Sequence, residues 1–286
     1  MISIKTAQEQ AIKNHNMFLG LKQDFKKDNA VPIDQLDKKW SVVNHCDRFY
    51  LLSNVCPHQN SRISNCKTSN LTCPYHGMQF DLLGLGIGNE LVLQKLSCYS
   101  NGAMLFAQAV PCSFPIPTEH FELVEQRRDT VNSSVETIMD VFLDIDHIPV
   151  AHVGVYDRIG ISNIDRLVYE TFDGGSIQFV PAQSNSHMIA QDRALNLGAC
   201  WMALYPGTMI EWQPGALFVT VATNNGVQVY KYRDTRYPTS SWQINEDVWE
   251  LAWSQDKTLS ENIVEIGHGN LDQLKQHHRS YHAVQR

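Results

Sequence analysis

An α+β chain of two domains is predicted by three features of the sequence. Short β-like segments between turn formers fill the stretch from Trp40 to about Gly86. A proline cluster, P-C-S-F-P-I-P, then interrupts the chain, and an amphipathic helical pattern beyond it is followed by more strands. The expected domains are residues 1–118, all β, and residues 119–286. A chain of 286 residues has room for about two domains with real cores and does not depend on disulfide staples.

In the first domain W-S-V-V-N-H, R-F-Y-L-L-S-N and M-Q-F-D-L-L-G read as strands bounded by turn residues. L-V-L-Q-K-L-S-C-Y and A-M-L-F-A-Q-A-V read as a hairpin turning at Asn101-Gly102. Pro111, Pro115 and Pro117 sustain neither a helix nor a central strand, which sets the boundary. Past it, Val135, Ile138, Val141, Phe142 and Ile145 recur at helical spacing, with Ser133 or Ser134 as N-cap. From Leu167 to Trp253 β-rich segments dominate, broken by Gly-Gly, Pro-Gly and Asn-Asn-Gly turns, and a closing helix is expected near Leu259 to Leu274.

Composition narrows the function classes. Apolar residues make up 43% and charged residues 19%, the balance of an ordinary globular protein, and a net charge of -7 without a basic stripe argues against a nucleic-acid partner. No stretch approaches an uninterrupted apolar membrane span, so no membrane partner is expected. The N-terminus lacks an apolar run behind a basic start, so a cytoplasmic location is expected. Seven cysteines in a reducing compartment point to metal binding for some of them.

The metal-binding pattern lies between Val55 and Asp81. Cys56 and His58 form C-x-H, fourteen residues intervene, and Cys73 and His76 form C-x-x-H. Common zinc modules pair two cysteines in one knuckle, whereas here each loop supplies one Cys and one His. Two such loops face to face would put both cysteines on one metal and both histidines on its neighbour, the ligand arrangement of a Rieske two-iron, two-sulfur centre. Pro57 and Pro74 stiffen the loops, Gly77 is read as permitting close backbone approach, and Cys66 is read as a bystander.

The second pattern is D-V-F-L-D-I-D-H-I-P-V-A-H. On a regular helix His147 and His152 would point about 140° apart, but Pro149 is expected to end or kink the helix between them. Asp144 and His147, three apart, are expected to share a helix face, so that the carboxylate can orient the imidazole. Trp201, Met202, Trp212 and Phe218 are read as core on strands, and His268, His277, His278 and His282 as a solvated tail.

C-P-H, C-P-Y-H-G and the following M-Q-F-D with Gly84 resemble the Rieske domain of the Rieske non-haem iron oxygenases, over roughly residues 15 to 118. The fourteen-residue interval is shorter than usual, and Gln59-Asn60-Ser61 replaces a more common Arg-Gly-Ala. The block from Asp140 to His152 is similar to the same family's mononuclear-iron motif. The resemblance implies a [2Fe-2S] cluster on Cys56, His58, Cys73 and His76, and Fe(II) on His147 and His152. It also implies Asp144 as the bridge by which an electron arrives from a Rieske histidine. W-S-Q-D-K-T-L-S-E-N resembles the family's late acidic helix and nominates Asp256 as third ligand, with Asp247 and Glu250 in reserve. Asp256 could instead cap that helix, since Thr258 to Glu261 forms a capping box.

The implied catalytic domain is a curved antiparallel sheet around a long helix. The implied activity is that of a terminal oxygenase oxidising a small organic substrate with dioxygen, with monooxygenation or demethylation favoured over cis-dihydroxylation. Without a G-x-G-x-x-G unit in the sequence, a separate ferredoxin or flavin reductase is the expected electron donor, and a homotrimer the expected assembly. The rival classes are a Rieske electron carrier with a non-catalytic ligand-binding C-terminal domain and a zinc-stabilised interaction module.

Overall fold

The computed structural model describes residues 18–33, 38–63, 70–101, 104–107, 120–161, 167–172, 175–181, 198–205, 207–223, 226–263 and 275–276. The chain divides into two compact units at Pro117/Thr118. Cys66, Gly102, the prolines of the boundary and the C-terminal histidines lie outside the described residues. No described helix is long and apolar enough to cross a membrane.

The described residues of the N-terminal unit form ten short strands. They are β1 (Phe18–Leu21), β2 (Asn29–Pro32), β3 (Trp40–His45), β4 (Arg48–Ser53), β5 (Leu71–Thr72), β6 (Gln79–Phe80), β7 (Gly86–Ile87), β8 (Lys95–Ser97), β9 (Tyr99–Asn101) and β10 (Met104–Phe106). They form three antiparallel sheets in the orders β2-β3-β4-β8, β1-β10-β9 and β5-β6-β7. The hairpin β3–β4 turns on Cys46 and Asp47, both left-handed at φ 53° and 59°, as a two-residue turn matched to strand twist requires. The segment expected as one strand from Leu91 to Tyr99 is split: β8 pairs with β4, and β9 pairs with β10.

The C-terminal unit holds a seven-stranded antiparallel sheet. Its strands are β11 (Phe121–Asp129), β12 (Val168–Phe172), β13 (Gly175–Pro181), β14 (Gly198–Leu204), β15 (Thr208–Gln213), β16 (Ala216–Thr223) and β17 (Gly226–Asp234), in the order β11-β17-β16-β15-β14-β13-β12. Helix α1 (Val135–Leu143) starts at Ser134, whose hydroxyl accepts from the Thr137 amide at 3.0 Å. A four-residue helix α2 (Ile148–Ala151) follows, and α3 (Thr239–Asn262) closes the unit.

The closing helix begins twenty residues before the expected Leu259, and the reason lies in its tryptophans. Trp242, Trp249 and Trp253 suggest strand by propensity, yet with Asn245, Val248, Ala252, Asp256 and Ser260 they recur at three- and four-residue steps and form one buried face. Phe218 of β16 packs at 5.8 Å from Trp242 and 5.4 Å from Trp249. Asp256 is thus an inward residue deep in a long helix, and Thr258 lies inside that helix, not at an N-cap.

One transverse row of residues crosses the sheet in register: Tyr169, Gln178, Trp201, Glu211, Phe218, Lys231 and Glu125. At its far end Lys231 is 1% exposed, and its ammonium reaches Glu125 at 2.8 Å, Glu246 at 3.2 Å and Glu250 of α3. Arg127 of β11 binds the same Glu250 through both carboxylate oxygens, at 2.5 and 2.9 Å. Lys231→Met is expected to cost about 3 kcal/mol, because three carboxylates lose their shared cation, and denaturant melts would read the loss.

The same network sets an acid limit. Burial pushes the Glu250 carboxyl up, but Arg127 and Lys231 outweigh it and hold it below its ordinary 4.5. A carboxyl depressed in the fold contributes stability that is present above 4.5 and lost as pH falls through its lower folded value. Acid titration of stability should therefore show a loss starting below 4.5 that Glu250→Gln diminishes.

Candidate metal centres

The two loops of the N-terminal unit are copies of one backbone design. The amide of Cys56 donates to the Ser61 carbonyl at 2.8 Å and the Asn60 amide donates to the Cys56 carbonyl at 2.9 Å. The amide of Cys73 donates to the Met78 carbonyl at 2.8 Å and the Gly77 amide to the Cys73 carbonyl at 2.9 Å. Closing each ring needs a left-handed residue four positions after the cysteine, and Asn60 (φ 54°) and Gly77 (φ 71°) supply it. Gly77 is therefore selected by its dihedral and not by close approach, since no protein atom would lie within 4 Å of a Cβ there.

Cys56 and Cys73 belong to the buried apolar core of this unit, with Val43, Leu52, Phe80 and Leu93. Burial raises the Cys56 thiol, and the amides of His58 and Gln59 offset part of that. Burial also raises Cys73, but the amides of Tyr75 and His76 with the Ser61 and Cys56 side chains outweigh it and leave the thiol below its ordinary value. Each sulfur is thus met by the second and third amides after it, the intervening proline having none to give.

His58 and His76 lie on the outer side, exposed, with their Nδ1 atoms 3.2 Å apart. Two imidazole lone pairs facing each other beside two converging thiols match a two-metal cluster with one sulfur-held and one nitrogen-held iron.

In the C-terminal unit the chain breaks where the sequence did not indicate. Helix α1 ends at Leu143, Asp144 turns extended (φ -83°, ψ 96°), and a 3₁₀ turn runs Ile145–His147. Pro149 sits in the first turn of α2, where its missing amide costs nothing, so the proline opens a helix and does not end one. His147 and His152 flank α2 at its two ends, which brings their Nε2 atoms to 2.9 Å.

Asp256 of α3 completes the set. Its Oδ1 lies 3.2 Å from His147 Nε2 and 2.9 Å from His152 Nε2. Burial pushes the Asp256 carboxyl up, yet the two imidazoles outweigh it and hold it below the usual range. Burial pushes His152 down, and Asp256 and Gln255 more than reverse it. The three ligand atoms form a triangle with edges near 3 Å, the spacing of neighbouring positions around one cation with bonds of about 2.1 Å. A metal ion satisfies all three lone pairs at once, and this donor set therefore fits a non-haem iron with open positions.

Gln255 accepts from His152 Nδ1 at 2.7 Å, which leaves Nε2 free as a ligand. The reserves stay away: Asp247 is exposed near Arg158, and Glu250 is engaged with Arg127 and Lys231. Asp144 does not share a helix face with His147, because its extended backbone takes it off the helix. Its carboxylate accepts from Lys275 at 2.6 Å, while His147 Nδ1 is buried without a hydrogen bond.

A cavity opens beside the triad. Its walls among the described residues include Trp201, Trp253, Tyr156, Phe142, Gln178 and Glu211. Trp201, read from sequence as core, is 6% exposed and belongs to the core of this unit, and it also forms part of the cavity wall. Glu211, Gln178 and Gln255 went unnoticed in the sequence. The one available signal was a charged residue at the inward position of T-M-I-E-W, in register with Trp201.

Residues 15–99 match the Rieske [2Fe-2S] domain family. No curated protein matches the sequence. Among solved structures, the quaternary ammonium Rieske monooxygenase CntA with substrate L-carnitine superposes with a TM-score of 0.63 at 14% identity, over 92% of this chain and 82% of that one. A structure described as revealing carnitine oxidation by gut microbiota and inter-subunit electron transfer gives 0.61 at 16%, over 97% and 85%. NdmA of Pseudomonas putida CBB5 with caffeine gives 0.57 at 12%, over 98% and 92%.

Proposed function

We propose that this chain, which carries a Rieske [2Fe-2S] domain and has the fold of Rieske monooxygenase oxygenase subunits, is itself a terminal oxygenase acting on a small organic substrate. The observation that carries the reading is the convergence of His147, His152 and Asp256 on one point at the wall of a cavity. A pure electron carrier has no use for such a triad, and a zinc module has no use for the paired loops.

Cys56, His58, Cys73 and His76 would hold the cluster and His147, His152 and Asp256 the mononuclear Fe(II); when bound, the first supplies single electrons and the second activates dioxygen. Gln255 fixes the His152 tautomer through Nδ1, and the carboxylate of Asp256 balances part of the metal charge. Trp201, Trp253, Tyr156 and Phe142 give the substrate side apolar walls. Asp144 is the proposed connection through which an electron reaches His147 from a cluster histidine.

Electrons would come from a separate ferredoxin or flavin reductase, and a cytoplasmic homotrimer is part of the same proposal. Inter-subunit electron transfer, described for the structure on carnitine oxidation, supports an assembly of more than one subunit. Monooxygenation or demethylation is favoured over dihydroxylation, in line with the monooxygenase description of that fold relative.

The test is anaerobic reconstitution with a reductase, followed by substrate-dependent oxygen consumption with product detection. Oxidised product in step with oxygen uptake is expected. Uptake that yields only peroxide with every compound would sink the assignment.

A further inference from the structure

Glu211 stands out among the charged groups of the C-terminal unit. Lys231 and Asp234, both about 1% exposed, meet opposite charges in Glu125, Glu246, Glu250 and Arg236. Glu211 meets none. Among the described residues its carboxylate accepts from Trp249 Nε1 at 2.9 Å, and Trp201 stands beside it in register on the next strand. No described lysine or arginine reaches it.

A carboxylate inside a cavity without a counter-ion is costly, and such a cost is kept where something else supplies the charge. Burial accordingly pushes the Glu211 carboxyl up to about 7, with the Trp249 and Trp201 indoles and His152 opposing it only in part and Asp256 adding to it. Glu211 lines the cavity beside the triad, and so do the aromatic rings of Trp201, Trp253, Tyr156 and Phe142. Aromatic rings attract cations through their quadrupole and repel anions.

A second, independent mark comes from Gln178, two strands away in the same row and on the other side of Trp201. It is 2% exposed, it lines the cavity, and its Nε2 has no hydrogen-bond partner. A buried amide donor without an acceptor is ready for a ligand oxygen.

We propose that the cavity takes a small organic ammonium ion carrying an oxygen function, with Glu211 as its counter-charge and Gln178 as donor to its oxygen. The proposal rests on the oxygenase reading for its biological meaning, because the same cavity holds the triad. It names what sets specificity there: the charge of the nitrogen against the Glu211 carboxylate, not apolar shape alone.

Binding to the iron- and cluster-loaded protein under anaerobic conditions tests the proposal without any turnover. The probes are choline and 3,3-dimethylbutan-1-ol, which share shape and hydroxyl and differ in replacing the charged nitrogen by carbon. Tryptophan fluorescence and calorimetry should show choline bound ten- to a hundredfold more tightly, as is typical of a desolvated cation beside a carboxylate and aromatic rings, roughly. Glu211→Gln should remove that preference while iron content stays unchanged, and Glu211→Asp, which keeps the charge, should retain most of it.

Equal binding of the two probes, binding of neither, or an undiminished choline preference in Glu211→Gln would each overturn the proposal. So would loss of iron in Glu211→Gln, since it would make the residue a metal ligand. Choline preference without oxidation of any ammonium compound in the oxygen-consumption test would leave the proposal standing and sink the oxygenase reading instead.

Discussion

Asp256→Ala is expected to lower the iron content from about three to about two per chain, keep the cluster colour, and abolish oxygen-dependent turnover. The residue is 8% exposed and its Oδ1 closes a triangle with two Nε2 atoms at 3.2 and 2.9 Å. Removing it takes away the one anionic side chain of the proposed ligand set. Even partners one step behind metal ligands are worth about ten- to a hundredfold in affinity, so losing a direct ligand should cost more. Cluster and mononuclear iron are separable by assaying acid-labile sulfide beside total iron. Full iron content with full turnover in this variant would remove Asp256 from the centre. Chelation of the mononuclear iron in the wild-type protein should reproduce the phenotype, and Fe(II) should reverse it.

The second large effect is expected from Asp144→Asn: both metals retained and turnover reduced about a hundredfold or more, a barrier increase of about 2.7 kcal/mol. Asn keeps the size and the acceptor oxygen of Asp and loses the charge. Asp144 touches none of the three ligand atoms, so metal content should not change. Its carboxylate is engaged by Lys275 at 2.6 Å, which calls for a control. Lys275→Gln removes that ion pair and leaves the carboxylate, and should retain most turnover. Rapid reduction of the cluster combined with slow product formation in Asp144→Asn would locate the defect between the two centres. Normal turnover would take Asp144 out of the electron path.

The difference between what the sequence revealed and what it hid follows from the range of the interactions involved. The cluster loops were legible because Cys56, His58, Cys73 and His76 are fixed by local backbone rings that the chain writes within six residues. The N-cap of α1 at Ser134 was legible for the same reason. The start of α3 was not, because three tryptophans carry strand propensity and only their burial against β16 makes them helical. The break at Asp144 also escaped, since Pro149 offers a ready local explanation and the true one is a backbone turn with no composition signal. Glu211 and Gln178 become neighbours of the triad only through strand register across three strands, which no single-sequence pattern states.

The ion-pair network around Glu250 bears on the proposed iron site as well as on stability. Glu246, Glu250 and Asp256 ride on one helix, so the cations that grip the first two also index the third. A slip of that helix by one residue would turn Asp256 by about 100° and move it about 1.5 Å along the axis, which is enough to point it away from both imidazoles. Lys231 and Arg127 thus act as a detent on a rod whose far end carries the proposed ligand. Loosening the detent should first appear as weaker iron retention at temperatures where the unit is still folded.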